Sequence, residues 1–321
     1  MSASSETPPL SQQPGSRGAL TGIAFKVASV CIFLAMAAFI KASDEVPAGQ
    51  LVFFRSFFAL LPVLVYLSVT GALATGFKTK HPLSHVLRGL VGTGGMIFGF
   101  TALTKLPLPE ATTINYATPL IIVVFSAVFL HEKVRLYRWS AVLVGLVGVL
   151  IIVSPQLTVF TSGAGLTDTA FGTASALLGC VFAATAMLLV RRLVATESSA
   201  TIVLYFSLAS TCAGLLTIPF GWVMPTPEQL VLLVSAGIAG GIAQILLTES
   251  YRHADMSVIA PFEYASLILS VGVGYIFFGD IPTIQMLIGG LIVVGSGIFI
   301  IFREHRLGVA NAKAQSSNTP Q

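Results

Sequence analysis

Charge is what this chain has least of. Only 9% of its 321 residues are Asp, Glu, Lys or Arg, 55% are hydrophobic, and the mean hydropathy is +0.90. A soluble domain carries roughly 25% charged residues, so most of this chain cannot face water. Cysteine is also scarce. Cys31, Cys180 and Cys212 all fall in apolar stretches without paired spacing, so they read as small packing residues and not as a disulfide framework. There is no Walker-type phosphate loop, no metal-ligand cluster and no nucleophile–base signature, which argues against an ATP-driven pump and leaves no cofactor to expect. Residues 1–17 hold Glu6 and no basic residue before Arg17, so they lack the basic start of a signal peptide. An intramembrane lipid-modifying enzyme would need acids or histidines clustered near one interface. His81, His85, His131, His253 and His305 are instead scattered among loops and termini, so the chain does not read as an enzyme.

What is present is a series of long windows without charge, such as Ser56–Phe77, Ala111–His131, Ser198–Pro227 and Ile281–Phe302. About 20 apolar residues cross a bilayer as a helix, whereas a β-barrel would show short alternating segments. The windows therefore predict an all-α integral membrane protein whose main partner is the lipid bilayer, with no nucleic-acid partner. Ten spans are expected, near 18–40, 48–69, 84–104, 109–130, 136–154, 170–190, 199–220, 228–250, 256–278 and 282–302. The tail 303–321 ends in NAKAQSSNTPQ, whose composition predicts disorder.

Basic residues orient the spans, because cytoplasmic loops collect Lys and Arg. With the N-terminus inside, 14 of the 17 basic residues, among them Lys26 and Arg88, fall on the cytoplasmic side. Lys41 and Lys105 fall outside, and Arg55 lies within span 2. Both termini are thus expected in the cytoplasm.

The second half echoes the first. Residues 103–132 align with 251–280 at an offset of 148, placing Tyr116 on Tyr264, Thr118 on Ser266, Phe129 on Phe277 and Glu132 on Asp280. Five spans per copy is an odd number, so a tandem copy must sit inverted, and the loop charges agree. HEKVRLYR (131–138) holds three basic residues, while its counterpart GDIPTIQM (279–286) holds none. Inverted repeats are an architecture of secondary transporters, whose substrate sites lie near the midplane between the repeats. The expected organisation is a tail (1–17), repeat 1 (18–154), repeat 2 (170–302) and a second tail (303–321).

Three stretches carry a family resemblance: QLVFFRSFFALLP (50–62), TALTKLPLPEATTI (101–114), and the run from Pro119 to Glu132–Lys133 before a glycine-rich span. With them the chain resembles EamA-type members of the drug/metabolite transporter superfamily across about 18–302. FFRS, LRGLVGTGGMIFGF and YRWSAVLVGLVGVLIIVSP look like those of bacterial riboflavin importers of this group. The resemblance implies two inverted five-helix repeats, a location in the bacterial inner membrane and transport of a small organic metabolite. Riboflavin uptake is the expected function, and export of amino acids or other small metabolites on the same fold is the alternative. Whether two chains pair as a homodimer stays open.

EATTINYATPL (110–120) is unusually polar for a membrane-length segment. Thr112, Asn115 and Thr118 share one helix face, matched in the second half by Ala260, Glu263 and Ser266. A polar stripe on a spanning helix should face the bundle or a watery cavity, since lipid cannot satisfy it. Asn115 and Tyr116, with Glu263 and Tyr264, are therefore expected to line the substrate path; interhelical hydrogen bonding is the simpler alternative. Glu263 is also a possible proton carrier, or a structural acid paired with Arg252. Arg55 either binds an anionic or carbonyl-rich group or braces a helix contact. Glu110 reads as a helix-start acid, and Glu249 as a salt-bridge partner of Arg252.

Overall fold

The computed structural model describes residues 16–129, 134–161, 167–193, 196–254 and 256–317. Every regular element in it is helical. The first half contains α1 (Ser16–Ala42), α2 (Ala48–Val69), the short α3 (Leu73–Gly76), α4 (Pro82–Lys105), α5 (Leu108–Asn115), α6 (Ala117–Phe129) and α7 (Leu136–Thr161). The second contains α8 (Asp168–Leu193), α9 (Ser199–Leu215), α10 (Pro227–His253), α11 (Met256–Ile259), α12 (Ala265–Phe278) and α13 (Ile284–Ser317). Eight segments are long and apolar enough to cross a membrane. Two shorter apolar ones, Ala200–Leu215 and Phe262–Phe278, stand where the seventh and ninth spans are expected.

Several expectations are corrected. The span expected at 109–130 is present as Leu108–Phe129, with Tyr116 alone separating α5 from α6, whereas the one expected at 256–278 passes from α11 through a 3-10 turn (Ala260–Tyr264) into α12. Of the tail NAKAQSSNTPQ (311–321) expected to be disordered, residues 311–317 continue α13, in keeping with their Ala, Lys and Gln, all good helix formers. The fifth membrane-length stretch is Leu136–Pro155, close to the expected 136–154, and α7 itself continues through Pro155 to Thr161. Residues 1–15, the loop acid Glu132 and neighbouring Lys133 lie outside the described residues.

Helix pairing follows an exchange symmetry. α1 packs on α10 and α4 on α8; α2 packs on α10 and α4 on α9. Swapping the halves converts one member of each pair of contacts into the other. The pairs α2 with α9 and α7 with α13 map onto themselves. Glycines allow the closest of these approaches. A Cβ on Gly237 would sit 2.4 Å from the Cβ of Phe58 and 2.9 Å from the Phe54 carbonyl oxygen, and one on Gly89 would sit 2.4 Å from the Cβ of Ala209. Gly89 and Gly237 are 148 residues apart, as are Tyr116 and Tyr264. Small residues that let backbones meet are the usual means of packing helices in lipid, where no hydrophobic force separates helix from solvent.

The outer surface is apolar. Leu143, Val147, Leu291 and Phe299 are exposed on α7 and α13, and Phe57 and Leu61 on α2. Such a belt has no place in water and suits lipid tails. The buried core runs across the two halves, from Ile40, Leu51 and Ile114 to Leu233 and Val293.

Candidate functional site

Both halves break their fourth helix at the same aligned residue. In the first, α5 ends at Asn115, and the Tyr116 N–H turns to the Thr113 carbonyl three residues back, at 3.2 Å. Pro119 has no N–H to offer the Asn115 carbonyl, so the sequence itself weakens the ladder here. In the second half Pro261 sits in the 3-10 turn Ala260–Tyr264. Broken backbone inside a membrane persists only where its polar groups find partners. Here they find them across the pseudo-symmetry. The Glu263 carbonyl accepts from the Ser266 hydroxyl at 2.7 Å and from the Tyr116 hydroxyl at 3.4 Å. The Tyr116 and Ser266 hydroxyls also share a hydrogen bond. The Tyr116 and Tyr264 rings lie 5.2 Å apart at 59°, and a Cβ on Gly297 would overlap the Tyr264 hydroxyl, so that glycine makes its room.

A charge pair completes this cluster. Lys26 on α1 donates to the Glu263 carboxylate. The lysine side chain is 4% exposed and the glutamate 52%. An ionised group at membrane depth costs about 2.5–3.5 kcal/mol on insertion scales, and each member offsets part of that cost for the other. The sequence reading named Arg252 as the partner; the structure pairs Glu263 with Lys26, from a helix far away in the chain. The Arg252 side chain lies outside the described residues, and with it the expected Glu249–Arg252 pair. Glu249 accepts a 2.6 Å hydrogen bond from the Tyr66 hydroxyl.

The other predicted site residues scatter. Thr112 returns its hydroxyl to the Leu108 carbonyl of its own helix at 2.8 Å. Asn115 is exposed, and its Oδ1 meets Cys180 Sγ on α8 at 3.8 Å. Arg55 is buried at 5% exposure, its guanidinium carbon 5.7 Å from the Phe206 ring centroid on α9. Glu110 lies in the first turn of α5, but Asp280 from the other half accepts the Leu108 N–H at 2.8 Å. Asp280 also stands 3.6 Å from Lys41, whose ammonium donates to the Leu106 carbonyl at 2.7 Å.

Sequence reasoning missed Lys26, Arg88 and Phe206 as interior residues. Lys26 and Arg88 were assigned to the cytoplasmic set; the structure buries Lys26, and places the Arg88 guanidinium carbon 3.8 Å from the Phe206 ring centroid. The available signal was that each charge falls inside a helical span and not beside one. Ser266 was visible, as the aligned counterpart of Thr118.

A separate cleft of about 520 Å³ lies between α2, α9 and α10, lined by Tyr66, Glu197 and Glu249 among others. It shares no residue with the tyrosine cluster. Beside it the Glu197 carboxylate accepts the Thr79 hydroxyl at 2.6 Å and the Lys80 N–H at 3.1 Å. The Thr79 hydrogen bond, followed by that of Lys80, holds the Glu197 carboxyl below its ordinary pKa. Among the described residues no group of His, Cys, Asp and Glu is placed to hold a metal ion.

The model of the EamA-like transporter family matches residues 20–154 and again 170–303. The pseudopaline exporter of Pseudomonas aeruginosa is 30% identical over 85% of this chain and 93% of its own. The S-adenosylmethionine uptake transporter of Rickettsia bellii is 28% identical over 80% of this chain and 84% of its own. The riboflavin transporter of Vibrio cholerae is 30% identical over 75% and 78%. One solved crystal structure superposes with a TM-score of 0.63 at 20% identity, covering 90% of this chain and 99% of that one, which establishes likeness of fold. These relatives are transporters and not enzymes.

Proposed function

This chain belongs to the EamA-like transporter family of multi-pass membrane proteins that move small metabolites, and we propose that it takes up riboflavin or a similar flat metabolite by alternating access. Its ten apolar segments act as two inverted five-helix repeats, about 18–154 and 170–302, with both termini in the cytoplasm. The observation that carries the reading is the paired helix break. Tyr116 and Tyr264 face each other where both fourth helices are interrupted, with Glu263 partly exposed beside them. Two aromatic faces suit a planar ring, which stacks on tyrosine in offset or tilted geometry. The Glu263 carboxylate and the Ser266 hydroxyl supply polar contacts at its rim.

Alternating access rocks one half against the other about a site near the midplane. The exchange symmetry of the helix pairing supports two arrangements of similar energy, because contacts released on one side have counterparts that form on the other. Lys26 ties α1 to the broken ninth span, so substrate contact with Glu263 loosens this tie as the site is occupied. Exchange of a proton at Glu263 is a second way to the same end.

A second reading is favoured by the Lys26–Glu263 pair itself: a zwitterion offers one partner to each charge. On that reading the chain exports a zwitterionic amino-acid-like metabolite, and export is also the direction of its relative, the pseudopaline exporter. Uptake of radiolabelled riboflavin into proteoliposomes, with and without a proton gradient, decides between them. Riboflavin flux that falls at least tenfold in Tyr116→Ala or Tyr264→Ala supports the first reading; no riboflavin-dependent flux sinks it.

A further inference from the structure

Two arginines enter the interior from different helices and meet over one ring. Arg55 on α2 and Arg88 on α4 both lie against Phe206 of α9, with guanidinium carbons 5.7 and 3.8 Å from its centroid. The two cations are therefore within about 10 Å of one another, close enough to repel through a medium of low permittivity. Among the described residues neither is paired with an acid; the ion pairs there engage Lys26, Lys41, Lys105, His85 and His253. Arg55 Nε, Arg88 Nε and Arg88 Nη1 are buried without any hydrogen-bond partner among the described residues. Arg55 is 95% shielded by the rest of the protein, and Gly240 leaves the space its guanidinium fills.

Bracing by itself does not account for this arrangement. The helix scaffold repeats at an offset of 148, and Phe206 itself repeats Phe58. The positions matching Arg55 and Arg88 are Val203 and Ala236. Packing at these points is thus achieved in the other half by small apolar residues. The guanidinia are an addition to one half only, and they bring like charge, open donors and no acceptor. Buried polar groups in native proteins are almost always partnered, by protein, water or a bound ion, so these donors call for an acceptor. Arginine presents a planar fork of donors that matches a carboxylate or phosphate bidentately. The aromatic face of Phe206 orients those forks and cannot itself satisfy their N–H groups.

We propose that Arg55 and Arg88 form an oxyanion-binding site over Phe206, taking a carboxylate or phosphate group. The site rests on the transporter reading but not on riboflavin as cargo, since riboflavin itself carries no anionic group. The oxyanion comes either from an acidic group on the cargo or from a separate inorganic anion bound beside it.

The test uses full-length protein in nanodiscs, titrated with sodium phosphate or sodium acetate against sodium chloride at equal ionic strength. At least one oxyanion should raise Tm above the chloride control, and the rise should grow with the logarithm of its concentration, as linkage to the folded state requires. Arg55→Gln and Arg88→Gln should abolish the shift without lowering Tm in its absence, since each removes a charge that has no counter-ion. Arg55→Lys and Arg88→Lys, which keep the charge and lose the fork, should bind at least tenfold more weakly; they serve if a Gln variant does not fold. Flavin mononucleotide that competes with phosphate while riboflavin does not identifies the cargo's own acidic group as the source. A phosphate shift indifferent to both flavins identifies a separate anion. The proposal is overturned if wild-type protein shows no shift beyond chloride, or if the shift survives undiminished in both Gln variants. Loss of riboflavin binding with the phosphate response intact would count against the proposed cargo alone.

Discussion

Replacing Glu263 by Gln and Lys26 by Met, singly and together, measures what joins the first helix to the broken ninth span. Two unit charges in contact attract by about 4 kcal/mol at an effective permittivity near 20. Water reaches Glu263, whose side chain is 52% exposed, and weakens that attraction, whereas Lys26 at 4% is nearly dry. The expected coupling energy is therefore about 1–2 kcal/mol, between a surface pair and a fully buried one. The single variants should differ in cost. Glu263→Gln leaves an ammonium enclosed by protein, while Lys26→Met leaves a carboxylate that can turn to water and puts a flexible apolar chain in the dry position. Glu263→Gln should therefore destabilise more. Lys26 has contacts besides this one, and they cancel in the cycle because both arms remove them equally. Reversible unfolding of the four proteins in mixed micelles supplies the four free energies. A coupling below about 0.5 kcal/mol, which is within the additivity expected of independent sites, would refute the reasoning. So would a larger cost for Lys26→Met than for Glu263→Gln.

Three other outcomes follow from the same geometry. Tyr116→Phe removes the hydroxyl that bridges Ser266 and the Glu263 carbonyl; it should cost about 0.6–1.5 kcal/mol in unfolding assays, the range for an interhelical hydrogen bond in a membrane protein. Ser266→Ala in that background should then add less than it does alone. Gly237→Ala places a Cβ against the Phe58 Cβ and Phe54 backbone and should cost about 1–3 kcal/mol as overpacking, lowering Tm; an unchanged Tm would show that α2 and α10 separate freely. Glu197 has a depressed pKa in the folded protein, so its stabilising contribution is present above the unfolded carboxylate value, about 4.3, and is lost as pH falls through the folded value. Wild-type Tm should thus fall more steeply on acidification below pH 5 than that of Glu197→Gln, and parallel profiles would contradict the assignment.

The legible parts of this protein are those that depend on local composition. Charge-free windows announce helices because lipid offers backbone groups no partner, and they do so whatever the helices pack against. The repeat was legible from aligned residues such as Tyr116 and Tyr264, together with the contrast in charge between loops 131–138 and 279–286. The breaks were not read from the sequence, because a proline in a spanning segment, such as Pro119 or Pro261, produces either a kink or a division, depending on what receives the freed carbonyl. The acceptor geometry at Glu263 belongs to Ser266 and Tyr116, and Tyr116 lies in the other half.

Charge partners were illegible for a physical reason. An ion pair needs proximity, and 237 residues separate Lys26 from Glu263. From sequence, a lone lysine near one end of a span looks the same whether it reaches back to headgroups or inward to an acid. The same ambiguity hid Arg88, counted as a topological marker, and left Arg55 divided between binding and bracing. The sequence by itself determined the solvent, the number of apolar segments, the internal repeat and the family, because each of these is a property of neighbours along the chain. Only the tertiary structure decided which polar residues meet. Lys26 is set on Glu263, Tyr116 on Tyr264, and two arginines on one phenylalanine, because helix pairing across the two halves brings together residues that no local pattern links.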